Sequence, residues 1–114
     1  MPITARVEYN RLPRVRRSFP GAVNTIVHEQ VLQTQTDVRT NILKYDYTDT
    51  GETFRSVEGD MTGEFSGEVT VGTDYAVFGN YGTRYQPARP FFSDAVVKAE
   101  AEYPDRFKKL ESQL

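Results

Sequence analysis

Residues 20–45 read PGAVNTIVHEQVLQTQTDVRTNILKY. Val23, Ile26, Val27, Val31, Thr34, Val38, Ile42 and Tyr45 recur in it at steps of three and four. An α-helix turns once in about 3.6 residues, so these side chains make one stripe and predict an amphipathic helix over 20–45. Pro20 stands in its first turn, where a missing N–H is no loss. Asn24, His28, Gln33, Gln35 and Asp37 fall on the other face.

Downstream, DYTDTGE at 46–52 has the Asp, Thr and Gly content of a turn. Short runs at 54–58, 61–65 and 67–73 are punctuated by Gly59, Gly63, Gly67 and Gly72, and 75–78 is a further apolar run. Val69 and Val71 alternate with Glu68 and Thr70, as in a strand with one wet face. These runs predict an antiparallel sheet of about four short strands. Residues 79–91 (GNYGTRYQPARPF) read as a long aromatic loop. Phe92, Ala95, Val96, Ala99, Tyr103, Phe107, Leu110 and Leu114 then form the stripe of a second helix. Ser93 or Asp94 is its expected cap. Asp94–Lys98, Glu102–Arg106 and Asp105–Lys109 are acid-before-base pairs four apart. Pro104 cannot donate to a carbonyl one turn back, so the C-terminal helix is expected to kink near it. Upstream, Pro2, Pro13 and Pro20 interrupt any long helix, and 1–18 reads as an extended basic arm. The expected class is α+β, with the arm at 1–18 and one domain at 19–114.

The chain has 114 residues, room for one domain. Its net charge of −2 hides a gradient. Residues 1–17 carry Arg6, Arg11, Arg14, Arg16 and Arg17 against Glu8, a balance of +4. Residues 46–74 carry eight acids against Arg55, a balance of −7. The two segments can attract each other within one chain or between neighbours. The near-neutral total argues against coating DNA by charge alone. Apolar runs are too short to span a membrane, and no signal peptide is visible in the first twenty residues. A soluble intracellular domain or a particle component is the default expectation. At 38% apolar, so small a core is expected to lean on partner subunits.

No constellation for catalysis emerges. Zero cysteines remove disulfides, thiolate metal sites and a thiol nucleophile. His28 is the single histidine and lies on the polar side of a helix, which suits a surface residue better than a catalytic or metal-binding one. Residues 46–51 fail as a calcium loop, because threonine stands at two ligand positions and Val57 where the closing glutamate belongs. Gly79, Gly82 and Thr83 lack the following Gly-Lys-Ser/Thr of a phosphate loop. No enzyme, cofactor, metal or small-molecule substrate is expected.

The 75–92 region is the unusual one. It holds six of the chain's fourteen aromatics: Tyr75, Phe78, Tyr81, Tyr85, Phe91 and Phe92. Arg84 and Arg89 add positive charge, and Pro87 and Pro90 stiffen it. Aromatic plus arginine is the composition of protein–protein hot spots. Phe91 and Phe92 are expected to pack, while Tyr81, Arg84, Tyr85 and Arg89 reach a partner. Arg14, Arg16 and Arg17 are the matching candidates in the arm.

The same residues carry a resemblance. Tyr75-Ala76, then Asn80-Tyr81-Gly82-Thr83, then Pro87-Ala88-Arg89-Pro90-Phe91-Phe92 and Ala95 resemble the signature of the small neck and tail-completion proteins of long-tailed double-stranded-DNA bacteriophages, also called minor tail components. Thr50-Gly51 with Ser56-Val57 is similar to a second block of that family, and the matched frame runs from about residue 20 to 112. Asn80 departs from a usual glutamate and Thr53 from a leucine. The resemblance implies a virion protein without catalytic activity, forming a ring at the head–tail junction and present in host cytoplasm during assembly. Its implied partners are further copies of itself, the adjoining head-connector and tail proteins, and genome DNA passing through without specific binding. The 79–90 loop and the arm would reach those neighbours through an interface between unlike surfaces. A tail-tube-end or tail-tip position fits the same residues. A nucleic-acid-binding domain using the arginine arm is the rival from another class, and it predicts duplex binding that falls steeply with salt.

Overall fold

The computed structural model describes residues 3–10, 12–45, 52–73, 76–84 and 87–113. The elements in chain order are β1 (Ile3–Glu8), α1 (Pro13–Ser18), α2 (Pro20–Lys44), α3 (Glu52–Arg55), β2 (Val57–Gly63), β3 (Ser66–Val71), α4 (Ala76–Tyr81) and α5 (Phe91–Glu111). The class is mixed α and β. Three strands form one antiparallel sheet in the order β1-β3-β2. Helix α2 covers one face of it, and α5 packs against α2 on the β1 side.

The stripe of α2 is buried as its period demands. Val23, Val27, Val31 and Val38 are fully buried, with Thr34 and Ile42 nearly so. Opposite them stand Val57, Val69 and Val71 of the sheet. Each fully buried valine contributes about 1.5 kcal/mol or more to folding. The other sheet face is polar. Arg6 of β1, Glu68 of β3 and Asp60 of β2 form one cross-strand row, and Thr4, Thr70 and Glu58 the next. Arg6 therefore meets part of the acidic segment within its own chain.

The strand count is three, not four, and the strands are partly other residues. Residues 3–8 of the expected arm are extended, but as an edge strand of the sheet. Ile3 and Val7 are buried while Thr4, Arg6 and Glu8 are exposed. Residues 13–18 are helical, with Pro13 in the first turn and Val15 fully buried. The runs at 54–58 and 61–65 resolve into α3 and a single strand, β2. Two hydrogen bonds bend the chain before β2: Ser56 N–H and Ser56 Oγ both donate to the Thr53 carbonyl, at 3.2 and 2.8 Å. Gly59, expected as punctuation, lies inside β2 because α2 presses there. A Cβ on Gly59 would sit 2.8 Å from the Gln35 side-chain amide and 2.9 Å from Val31 Cγ1. Residues 76–78 are helical rather than a fourth strand, since Ala76 N–H donates to the Thr73 carbonyl at 3.3 Å and turns the chain. Such a short apolar run carries no decisive period.

The hairpin between β2 and β3 turns through Phe65, at φ 63°. A left-handed bulky residue costs on the order of 1 kcal/mol. Three contacts hold it. Its N–H donates to Asn24 Oδ1 at 2.7 Å, its carbonyl accepts from Tyr9 N–H at 3.0 Å, and the Arg16 guanidinium lies 5.7 Å from the ring centroid.

α5 begins at Phe91 and stays helical through Pro104 to Glu111. Lys98 pairs with Asp37 of α2 rather than with Asp94, and Lys108 reaches Asp105 at 2.8 Å. Of the turn expected at 46–52, residues 46–51 lie outside the described residues and Glu52 opens α3, and Tyr75 and Tyr85 also lie outside them.

Candidate interaction surface

Asn80 is 1% exposed and organises the aromatic region. Its Oδ1 accepts from Phe92 N–H at 3.0 Å and from Ser93 N–H at 2.9 Å, and its Nδ2 donates to Ser93 Oγ at 2.8 Å. The first N–H groups of a helix have no partner within the helix. Pro90 occupies the cap position of α5 and supplies no side-chain bond. Asn80 therefore caps α5 from α4, where Ser93 or Asp94 had been expected to act. Arg89 N–H donates to the Gly79 carbonyl at 2.8 Å and closes the loop at its base. Gly82 N–H donates to the Phe78 carbonyl at 2.8 Å, with Gly82 at φ 79°. That left-handed angle is open to glycine at little cost.

The aromatics divide as their packing allows. Phe91 and Phe92 are buried, whereas Phe78 and Tyr81 are 60% and 66% exposed. They lie one turn apart on α4. Arg84 is exposed and Arg89 half-buried. Val97 of α5, also exposed, shares with Tyr81 a groove that runs along β1 past Ile3, Ala5 and Val96. The groove continues between Ala5 and Val7 on one side and Val96, Ala99 and Tyr103 on the other, with a volume of about 190 Å³.

The arginines stand elsewhere. Arg14 and Arg17 are exposed on α1, and Arg16 is half-buried over Phe65. Asn24 of α2 marks that end through Phe65, and Asn41 marks the other by donating to the Phe91 carbonyl at 3.0 Å. Seventeen residues of helix separate them, about 25 Å. The two sets of expected contact residues therefore occupy opposite ends of a body 52 Å long.

Between the ends, a polar seam joins α2 to α5. Gln30 is 1% exposed. Its Nε2 donates to Thr34 Oγ1 at 3.0 Å and Glu102 Oε1 at 3.2 Å, and its Oε1 accepts from Arg106 Nε at 2.8 Å. Lys98 Nζ donates to both Asp37 oxygens at 3.0 Å, and this bond raises the Lys98 pKa against the opposing effect of burial. Tyr45 OH donates to Asp94 Oδ2, which raises its own pKa together with burial and the Asp94 charge. Tyr103 OH donates to the Glu8 carbonyl at 2.8 Å. Burial pushes that phenol well above its ordinary range, with Glu8 and Tyr9 adding to it.

The sequence marks Asn80 only as a departure from the resembled pattern, not as a cap, and does not mark Gln30 at all. Asn80 caps a helix that starts eleven residues later, and Gln30 looks polar in a stripe counted from apolar positions. Among the described residues no group of three metal-ligating side chains comes together. No helix there is long and apolar enough to cross a membrane. His28 lies exposed on α2. No family model matches the sequence, and no curated protein or solved structure matches it either.

Proposed function

We propose that this chain is a ring-forming structural component of a tailed-phage particle, a neck or tail-completion protein that joins head to tail. The observation that carries this reading is the Asn80-capped aromatic unit. Among the residues that bear the resemblance, Asn80 is bonded to the start of α5 at Phe92 and Ser93, and Arg89 is bonded back to Gly79 beside it. Rigid aromatics held out to solvent lose little entropy when a partner covers them. Phe78 and Tyr81, both exposed, meet that description.

The two ends then serve different neighbours. The aromatic end suits a packed, apolar contact, and Arg14 and Arg17 at the other end suit an acidic one. A protein that bridges a head connector and a tail needs two unlike ends, and its role involves no catalytic step.

Purified particles provide the test. The chain should be found in a fixed copy number, and labelled at the head–tail junction by electron microscopy. The double variant Phe78→Ala, Tyr81→Ala should remain folded, because both side chains are exposed, while heads and tails accumulate unjoined. Absence of the chain from the particle, or normal infectious particles from the variant, contradicts the reading.

A further inference from the structure

We propose that copies of this chain join side by side, the outer edge of β1 in one copy pairing with the outer edge of β2 in the next. The proposal rests on the ring reading above and names the surfaces that build the ring.

Backbone direction comes first. In an antiparallel ladder, alternate residues turn both N–H and C=O toward the partner strand. Tyr9 N–H on the Phe65 carbonyl continues the β1–β3 register. Val7, Ala5 and Ile3 therefore face β3, and Thr4, Arg6 and Glu8 turn their backbone groups outward. The Tyr103 hydroxyl on the Glu8 carbonyl agrees. Gly72 N–H on the Ser56 carbonyl fixes β2 in the same way, so that Val57, Gly59 and Met61 turn their backbone groups outward. Val57 is itself fully buried, which leaves Gly59 and Met61 as the positions open to a neighbour. Arg39 Nη2 on the Val57 carbonyl at 2.8 Å, and Met61 N–H on Asp60 Oδ1 at 2.9 Å, agree again.

β1 and β2 both run antiparallel to β3, so they are parallel to each other. Rotating one copy onto the next lays β2 parallel beside the neighbour's β1. In a parallel ladder, an outward residue bonds to the two residues flanking its opposite. Arg6 then sits beside Asp60 of the next copy, donating its N–H to the Gly59 carbonyl and accepting from Met61 N–H. Thr4 sits beside Glu58. Met61 N–H leaves the Asp60 carboxylate, and Arg6 takes its place as the partner of that carboxylate.

Charge complementarity favours this pairing over the symmetric ones. Pairing β1 with β1 offers Arg6 a single acid, Glu8, which already lies 3.9 Å from it in its own strand, whereas β2 offers Glu58 and Asp60; pairing β2 with β2 sets those two against their own copies. The helix layer carries exposed apolar side chains of its own. Leu32 and Leu43 are exposed on α2, Leu32 beside a groove that Arg106 of α5 also lines. Val97 is exposed on the flank of α5 turned away from α2, beside Tyr81. Two helices per copy span about 18–20 Å, whereas three strands span about 14 Å. The wider helix layer goes outside, and the open sheet face lines the channel. Glu8, Glu58, Asp60 and Glu68 outweigh Arg6 on that face. An acidic wall repels phosphate and lets DNA slide.

The chain has no cysteine, which makes the test clean. Thr4→Cys and Glu58→Cys are prepared singly, mixed at high concentration, oxidised, and separated without reductant. The mixed dimer should exceed either homodimer several-fold. Adding Arg6→Glu to the first variant should abolish it, and adding Asp60→Arg to the second should restore it. Absence of a mixed dimer, or a dominant Thr4→Cys homodimer, overturns the proposal. A mixed dimer from a chain that is missing from the particle overturns the phage reading and leaves the interface standing. A chain found at the neck that forms no mixed dimer does the reverse.

Discussion

β1 and β2 border the same central strand, yet their edges are finished differently. On β1 the outward Glu8 carbonyl is met by the Tyr103 hydroxyl, and an apolar groove runs beneath the strand. On β2, Arg39 holds the Val57 carbonyl and Asp60 holds Met61 N–H, and the register shifts between Met61 and Gly63. Open strand edges invite indiscriminate pairing, and charged side chains and bulges suppress it. A single subunit thus carries one receptive edge and one guarded edge. The guarded edge opens to a partner that replaces what it gives up, and Arg6 does so for Asp60. Two unlike edges give association a direction, which symmetric edges cannot.

The largest expected effect comes from breaking what both edges share. A Cβ on Gly67 of β3 would lie 2.7 Å from Val31 Cγ2, 2.9 Å from the Asp60 carbonyl and 3.2 Å from Met61 Sδ. Gly67→Val should cost about 3 kcal/mol and lift α2 off the sheet. Gly72→Ala, whose nearest atoms are 3.8 Å away, should change stability by less than about 0.5 kcal/mol. Denaturant titration of the two variants checks this, and equal loss in both would contradict the packing described.

A smaller effect sharpens the difference between the edges. Tyr103→Phe removes the bond to the Glu8 carbonyl and should cost about 1 kcal/mol at neutral pH. It should also change the alkaline limb. The Tyr103 phenol is raised in the folded chain, mainly by burial. Its contribution is fully present below the ordinary tyrosine value, near about 10, and is lost as pH rises toward the folded value. The unfolded phenol ionises first, so the wild-type chain loses stability there and the variant lacks that loss. The gap between the two proteins should narrow with rising pH, as unfolding at a series of pH values will read. A gap that widens contradicts the assignment.

Much of this architecture is readable in the sequence, for a physical reason. The stripes of α2 and α5 repeat over many turns, and a long period survives local exceptions such as Gln30 and Pro104. Phe91 and Phe92, expected to pack, are buried, and Tyr81, expected to reach a partner, is exposed in the single chain. β1 was obscured by its own charge. Ile3, Ala5 and Val7 alternate cleanly with Thr4, Arg6 and Glu8, but five arginines in seventeen residues read as an arm. Gly59 and Gly67 read as breaks, whereas close approach to α2 is what requires them. The Asn80 cap and the Tyr103–Glu8 bond join residues distant along the chain, one by twelve or thirteen positions and the other by ninety-five. No local pattern announces such a contact. The candidate surface was legible in composition, as an aromatic and arginine-rich segment. Its division between two ends of the molecule was not, because that depends on the length and direction of α2.

Closure is tested most directly by placing both cysteines in one chain. Within a subunit, Thr4 and Glu58 flank Thr70 on opposite sides. They are about 9–10 Å apart, too far for the disulfide, whose Cα atoms must lie within about 7 Å. Every bridge in the variant Thr4→Cys, Glu58→Cys is therefore between subunits. Oxidised at high concentration and weighed by native mass spectrometry, it should give a ladder of covalent oligomers that ends at one mass, with no free thiol in that last species. A series that stops at the dimer, or one that grows without end, contradicts a closed ring built through the two edges.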